Sequence, residues 1–185
     1  MKYLFVIDMQ NDFVTGSLGS PDAQAIVPNV VKKINEALTN KEEVIFTRDT
    51  HYTDYLDTYE GKMLPVEHCI GGTEGWQIIP ELQVFIDEDD GYGYTNVYNK
   101  FTFGWENIKR VFPFNFSFQK DEDEIELVGL CTDICVVSNA LYLRMLYPNT
   151  KITVDASCCA GTNPQKHLEA LSVMESCQIT VINKE

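Results

Sequence analysis

Apolar residues in this chain fall into short unbroken runs and longer periodic stretches, and the two kinds alternate. Tyr3–Ile7 is a continuous apolar run, the pattern of a strand buried on both faces. Val30, Val31, Ile34, Ala37 and Leu38 then recur near helical spacing, and Pro28 stands at a permitted early position, so a helix is predicted over Pro28–Leu38. Val44–Thr47 reads as a second short strand. From Asp49 to Gly93 the pattern is irregular, broken by Pro65, Gly71-Gly72 and Pro80, with room for two short elements. Asn96–Asn99 is a third candidate strand. Glu124–Leu130 is a fourth, and it passes almost directly into an apolar-periodic helix over Asp133–Leu146. A strand at Lys151–Val154, a helix at Pro164–Met174 and a strand at Ile179–Ile182 complete the series.

Strands alternating with helices predict right-handed crossovers and an α/β fold. The expected architecture is a three-layer α/β/α arrangement with a mostly parallel, Rossmann-like central sheet flanked by helices. A chain of 185 residues without repeat or linker fits a single domain over 1–185. In such sheets ligands bind at the carboxyl ends of the strands. Asp8 ends the first strand, Asp49 and His51 follow the second, Lys100 follows the third, and Cys131 and Cys135 follow the fourth. The residues with chemical potential are therefore expected on one rim.

Three of them suit nucleophilic chemistry. Cys135 falls in the first turn after a strand, where free N–H groups and the helix dipole favour a thiolate and can hold an oxyanion. A small buried core residue is an equal reading of that position. Asp8 closes a buried strand, and burial raises a carboxyl pKa, which suits proton transfer; a turn or cap aspartate is the plainer alternative. Lys100 is one of only 14 basic residues and stands beside the aromatic segment Phe101-Thr102-Phe103. It is either a surface lysine or a cation that stabilises a thiolate. Asp49, His51, Glu60 and His68 form a loose set that suits Zn, Mn or Fe as a divalent ion, against the alternative of solvated loop histidines and a capping aspartate. His167 reads as an exposed helix residue.

Charge and cysteine usage narrow the classes. With 28 acidic and 14 basic residues the net charge is −14, which argues against nucleic acid and against an anionic membrane surface, and favours a small-molecule substrate. The acidic run Asp121-Glu122-Asp123-Glu124 reads as a solvated turn. The first apolar run is short and ends in a carboxylate, unlike a signal peptide, and no stretch suits a bilayer span. A cytoplasmic location with six reduced cysteines is the expectation.

Taken in order, Asp8-x-Gln10-Asn11-Asp12-Phe13, Asp49-x-His51 with a later His68, Lys100, and Gly129-x-x-Thr132-Asp133-x-Cys135-Val136 resemble the isochorismatase-like cysteine hydrolases over nearly the whole chain. Within that family the set looks most like the branch that hydrolyses nicotinamide to nicotinate and ammonia through a cysteine thioester, in NAD salvage. The resemblance implies the isochorismatase-like hydrolase fold and a triad of Asp8, Lys100 and Cys135. It also implies a cis peptide between Leu130 and Cys131, and an oxyanion hole from the Cys131 and Cys135 N–H groups. It further implies one divalent metal ion, zinc first with iron or manganese as alternatives, held by Asp49, His51 and His68 with Glu60 as a counterpart of an added glutamate. The pyridine ring is expected among Phe13, Leu18, Leu64 and Phe103, and the molecule is expected to be a homo-oligomer, with Val111–Phe118 as interface, lid or core. Thr50 and Cys131 depart from the family pattern. Other readings are an amidohydrolase for N-carbamoyl or ureido compounds, an isochorismatase and a non-catalytic binding protein. The intact Asp49, His51 and His68 set argues against the first, and the retained Asp, Lys and Cys against the last.

Overall fold

The computed structural model describes residues 1–87, 94–111 and 123–184. Among the described residues six strands form one sheet: β1 (Lys2–Ile7), β2 (Glu43–Asp49), β3 (Thr95–Lys100), β4 (Glu124–Leu130), β5 (Lys151–Ala160) and β6 (Thr180–Ile182). Their order is β3-β2-β1-β4-β5-β6, and every pairing is parallel. The expected mostly parallel sheet is thus wholly parallel among the described strands. The chain runs outward from β1 in one direction through β2 and β3, then returns to β1's other side at β4. This places the topological switch point between β1 and β4, where the ends of these strands leave a crevice.

Eight α-helices among the described residues accompany the sheet: α1 (Asn11–Val14), α2 (Pro21–Ala25), α3 (Val27–Thr39), α4 (Tyr59–Met63), α5 (Pro80–Asp87), α6 (Ile108–Val111), α7 (Val137–Leu146) and α8 (Pro164–Ser176). Alternation along β1 sorts them into layers. Leu4 and Val6 pack with Val30, Ile34 and Leu82 of α3 and α5, while Tyr3, Phe5 and Ile7 pack with Ala140, Leu143, Leu171 and Met174 of α7 and α8. Both faces of β1 are therefore dry, which is why it reads as an unbroken apolar run.

Three features differ from the sequence pattern. First, β5 continues to Ala160, past the expected end at Val154. The polar Asp155 hid the continuation; it is buried and neutralised by Lys33 of α3 at 2.8 Å. Second, the helix expected from Asp133 begins as a π-helical turn over Thr132–Val136 before α7. Third, α1 and α2 are too short to carry a periodic signal. Of the aromatic segment Val111–Phe118, everything from Phe112 onward lies outside the described residues, as do Asp121 and Glu122; Asp123 holds the N-terminal ammonium at 2.6 Å. All six cysteines are free, and no helix among the described residues is long and apolar enough to cross a membrane.

Candidate active site

Four strand ends deliver the site. Asp8 follows β1 in a left-handed conformation (φ 49°), which aspartate tolerates better than most residues. The turn swings its carboxylate back under the rim, where the Thr47 hydroxyl donates to Oδ1 at 2.7 Å. Lys100 ends β3 and is fully buried. Its ammonium lies 2.7 Å from Asp8 Oδ2, 3.0 Å from Asp49 Oδ1, 3.2 Å from the Thr102 carbonyl and 3.4 Å from Cys135 Sγ. The surface reading of Lys100 is excluded by this geometry. Only its paired anions make such burial of an ammonium tolerable.

Cys135 sits in the π-helical turn, which starts just after a cis Leu130–Cys131 peptide. The Cys131 carbonyl accepts from Ile134 and Val136 N–H groups at 3.1 Å each, on either side of Cys135. Asn139, one helical turn on, ties the turn down. Its amide donates to the Cys135 carbonyl at 2.8 Å and its oxygen accepts from Trp105 N–H at 2.8 Å.

Electrostatics differ from a simple helix-terminus thiolate. Burial pushes the Cys135 thiol well above its ordinary value, and this outweighs the lowering influence of Lys100. Burial likewise raises Asp8, opposed by Lys100 and Thr47 and reinforced by Asp49. Lys100 stays an ammonium: desolvation is overcome by Asp8, Cys135 and Asp49. The resting site thus holds a neutral thiol beside a basic carboxylate, with a fixed cation touching both.

A second cluster adjoins the first through Asp49. Single ligand atoms of Asp49, His51 and His68 lie within 4.8 Å of one another. His51 Nε2 lies 2.9 Å from Asp49 Oδ2 without hydrogen-bond geometry and is buried with no hydrogen-bond partner. His68 Nδ1 lies 2.8 Å from the Val66 carbonyl, to which it donates, so Nε2 is the nitrogen turned toward Asp49, 3.7 Å from its Oδ2. An orphaned buried nitrogen, a second imidazole nitrogen and a carboxylate fit a divalent cation. Burial opposes ionisation of Asp49, but the Lys100 ammonium 3.0 Å away favours the charged carboxylate. Glu60 is not one of the three; its Oε1 stands 3.7 Å from His51 Nε2, further out along the same cavity.

The cavity between the clusters has a volume of about 510 Å³, a size suited to small ligands. Cys131, Cys135, Asp49 and His68 line it, together with the predicted ring contacts Phe13, Leu18, Leu64 and Phe103. Sequence reasoning missed Met63 and Ile134, also in the wall. It missed Tyr55, whose ring backs His51 and His68 at 4.6 and 5.0 Å. It gave Gln10 and Asp12 no role, yet both secure the second cluster. Gln10 bonds the Asp49 backbone at its N–H (2.7 Å) and carbonyl (2.9 Å), and Asp12 accepts the Cys69 N–H at 2.7 Å, beside His68. Buried polar residues in a motif were the available signal. His167 is a correction: it is half-buried, with Nδ1 2.8 Å from the Thr132 hydroxyl, because α8 turns it inward against the π-helical turn.

Known proteins resemble this chain over nearly its whole length. The isochorismatase domain model matches residues 2–102 and 115–185. The nicotinamidase/pyrazinamidase of Mycobacterium tuberculosis is 28% identical over 98% of each chain. The pyrazinamidase/nicotinamidase of Streptococcus mutans superposes with a TM-score of 0.84 at 26% identity, covering 98% of this chain and 100% of that one. The pyrazinamidase of Pyrococcus horikoshii, solved in complex with zinc, gives 0.78 at 21% identity over 98% of each chain.

Proposed function

The chain belongs to the isochorismatase family, and from that premise we propose that it is a nicotinamidase, a metal-dependent cysteine amidohydrolase that converts nicotinamide to nicotinate and ammonia in NAD salvage. The observation that carries this reading is the position of Lys100. One buried ammonium touches Asp8, Cys135 and Asp49, and so joins the thiol cluster to the metal-ligand cluster.

Asp8 accepts the Cys135 proton as the sulfur attacks the amide carbonyl, so the thiolate exists only when it is needed. Lys100 does not transfer a proton; it offsets the negative charge as it passes from Asp8 to sulfur and onward to oxygen. The N–H groups of Cys131 and Cys135 receive the oxyanion, and one such donor is typically worth about 3 kcal/mol. Asp8 returns the proton to the departing nitrogen, and ammonia leaves a thioester on Cys135. Water then attacks the thioester, Asp8 takes its proton, and nicotinate is released with the thiol restored. Asp49, His51 and His68 would hold a divalent ion, zinc by likeness to the zinc-bound pyrazinamidase of Pyrococcus horikoshii, with Glu60 close enough to assist; that ion would supply Lewis-acid affinity for the ring nitrogen. Phe13, Leu18, Leu64 and Phe103 flank the ring.

A single domain over 1–185 is supported by one sheet that starts at Lys2 and ends at Ile182. The exposed apolar side chains of Tyr52, Leu56, Tyr59 and Met63 support a homo-oligomer, which sedimentation would read. A cytoplasmic location fits the free thiols.

The direct test is ammonia release from nicotinamide, with and without added divalent metal. Turnover is expected in the wild-type enzyme and none in Cys135→Ala. Full activity in that variant would remove the thiol from the mechanism.

A further inference from the structure

The Thr132 hydroxyl is fully buried, and its Oγ1 lies 2.8 Å from Nδ1 of His167. The next residue makes a second tie in the same direction. Asp133 Oδ1 accepts from the Thr162 N–H at 2.8 Å, and Oδ2 accepts from the Thr162 hydroxyl at 2.6 Å. Thr132 and Asp133 open the π-helical turn that carries Cys135, while Thr162 and His167 flank the start of α8. Gly161 permits this approach: a Cβ there would meet His167 N at 2.8 Å and Asp133 Oδ1 at 3.0 Å. Helix α8 is itself firmly placed. Asn163 caps it through the Lys166 N–H at 2.9 Å, and Leu171 and Met174 are fully buried against the sheet. The turn therefore leans on a rigid support, and His167 is the side chain through which Thr132 leans.

We propose that His167 is a positioning residue for the amide hydrolysis: through the Thr132 hydroxyl it fixes the turn that presents the Cys131 and Cys135 N–H groups to the carbonyl oxygen. This rests on the oxyanion hole proposed above. A hydroxyl at zero exposure that loses its partner leaves an unsatisfied polar group, and the turn relieves it by loosening toward water. Donors that must meet a charge developing in the transition state suffer most from such loosening, so kcat falls while substrate binding persists. Burial keeps the imidazole below its ordinary pKa despite the opposing Asp133 and Asp22, which leaves it neutral and able to accept from Thr132.

The test compares His167→Phe, which keeps an aromatic ring but removes its nitrogens, with His167→Asn, which keeps a polar atom near Nδ1, and with Thr132→Val. His167→Phe and Thr132→Val are each expected to lower kcat by about tenfold to a hundredfold with KM changed less than about twofold. The double variant should lose no more than either single one, and His167→Asn should recover most of the rate. Amide hydrogen exchange at residues 131–136 should accelerate in His167→Phe while β1 and β4 keep their protection. Additive losses, a loss confined to KM, unchanged exchange at 131–136, or exchange raised equally across the sheet would each overturn the assignment. Exchange needs no substrate. If the wild-type enzyme releases no ammonia from nicotinamide while His167→Phe still loosens 131–136 alone, the nicotinamidase reading fails and the support of the turn by His167 stands.

Discussion

At Lys100 one fully buried ammonium faces two carboxylates and a thiol at the floor of the cavity. Removing it leaves Asp8 and Asp49 as facing buried anions, a situation that costs about 3–5 kcal/mol where a buried pair is broken. Lys100→Met is therefore expected to lower unfolding stability by that order in urea titration, besides abolishing turnover. A wild-type denaturation curve would contradict the pairing. Thr47 makes a gentler probe. Its hydroxyl donates to Asp8 Oδ1 at 2.7 Å and so favours the ionised carboxylate. Thr47→Val deletes that donor and leaves the volume nearly unchanged. The Asp8 pKa should rise, the base form should be lost at a higher pH, and the acidic limb of the kcat/KM profile should move upward. Movement toward lower pH would give the base role to another group. A thiolate stabilised from the outset would place its own ionisation on that limb instead. The profile thus separates proton transfer during attack from a preformed ion pair.

Among the elements, the β1–β4 pair sets the geometry on which these side chains depend. Gly129 adopts φ 116°, and a Cβ there would run into the Ile7 carbonyl oxygen just before Asp8. Gly129→Ala must therefore shift one strand against the other and hold a non-glycine residue in a glycine region. A loss of about 2–4 kcal/mol is expected, read by thermal or urea unfolding, together with lowered kcat in the molecules that remain folded. Much at this scale was legible beforehand. Tyr3–Ile7 is buried on both faces, and Glu124–Leu130 alternates polar and apolar before a buried end, so both carried a clear strand signal, and the chemical residues at their ends followed from the parallel topology. The far half of β5 was hidden because Asp155 interrupts the apolar run, and only a partner more than a hundred residues away neutralises it. His167 was hidden for a related reason. Its neighbours Lys166, Leu168 and Glu169 on α8 are all exposed, and the one bond that turns it inward reaches a hydroxyl on another element. Gln10 and Asp12 likewise act through partners distant in sequence, which a local pattern does not encode, while Tyr55 meets His51 within a stretch that has no periodic signal.

Over the whole molecule, a chain of net charge −14 must hold its acidic groups where each is either solvated or paired. Lys33 of α3 pairs two of them on the face of the sheet. Its ammonium lies 2.8 Å from Glu126 on β4 and 2.8 Å from Asp155 on β5, and so spans two strands and the layer above them. Burial opposes ionisation of Asp155, but Lys33, Ser157 and Asn183 hold its carboxyl below the ordinary range. A folded pKa below the unfolded value of about 3.9 means that the folded state binds the proton less readily. The stability this contributes is present above about pH 4 and is lost as the pH falls through the folded pKa. Lys33→Met removes the pair and leaves a buried carboxylate, which is expected to cost about 1–3 kcal/mol, discounted for the partial exposure of the lysine. That difference from wild type should be largest near neutral pH and should shrink below about pH 4, where protonation removes the charge on Asp155 in both proteins. Urea unfolding of the two proteins at a series of pH values measures it. A difference that stays constant down to about pH 3 would mean that Lys33 stabilises through the packing of its aliphatic stem, and that the link between α3 and β5 is not ionic.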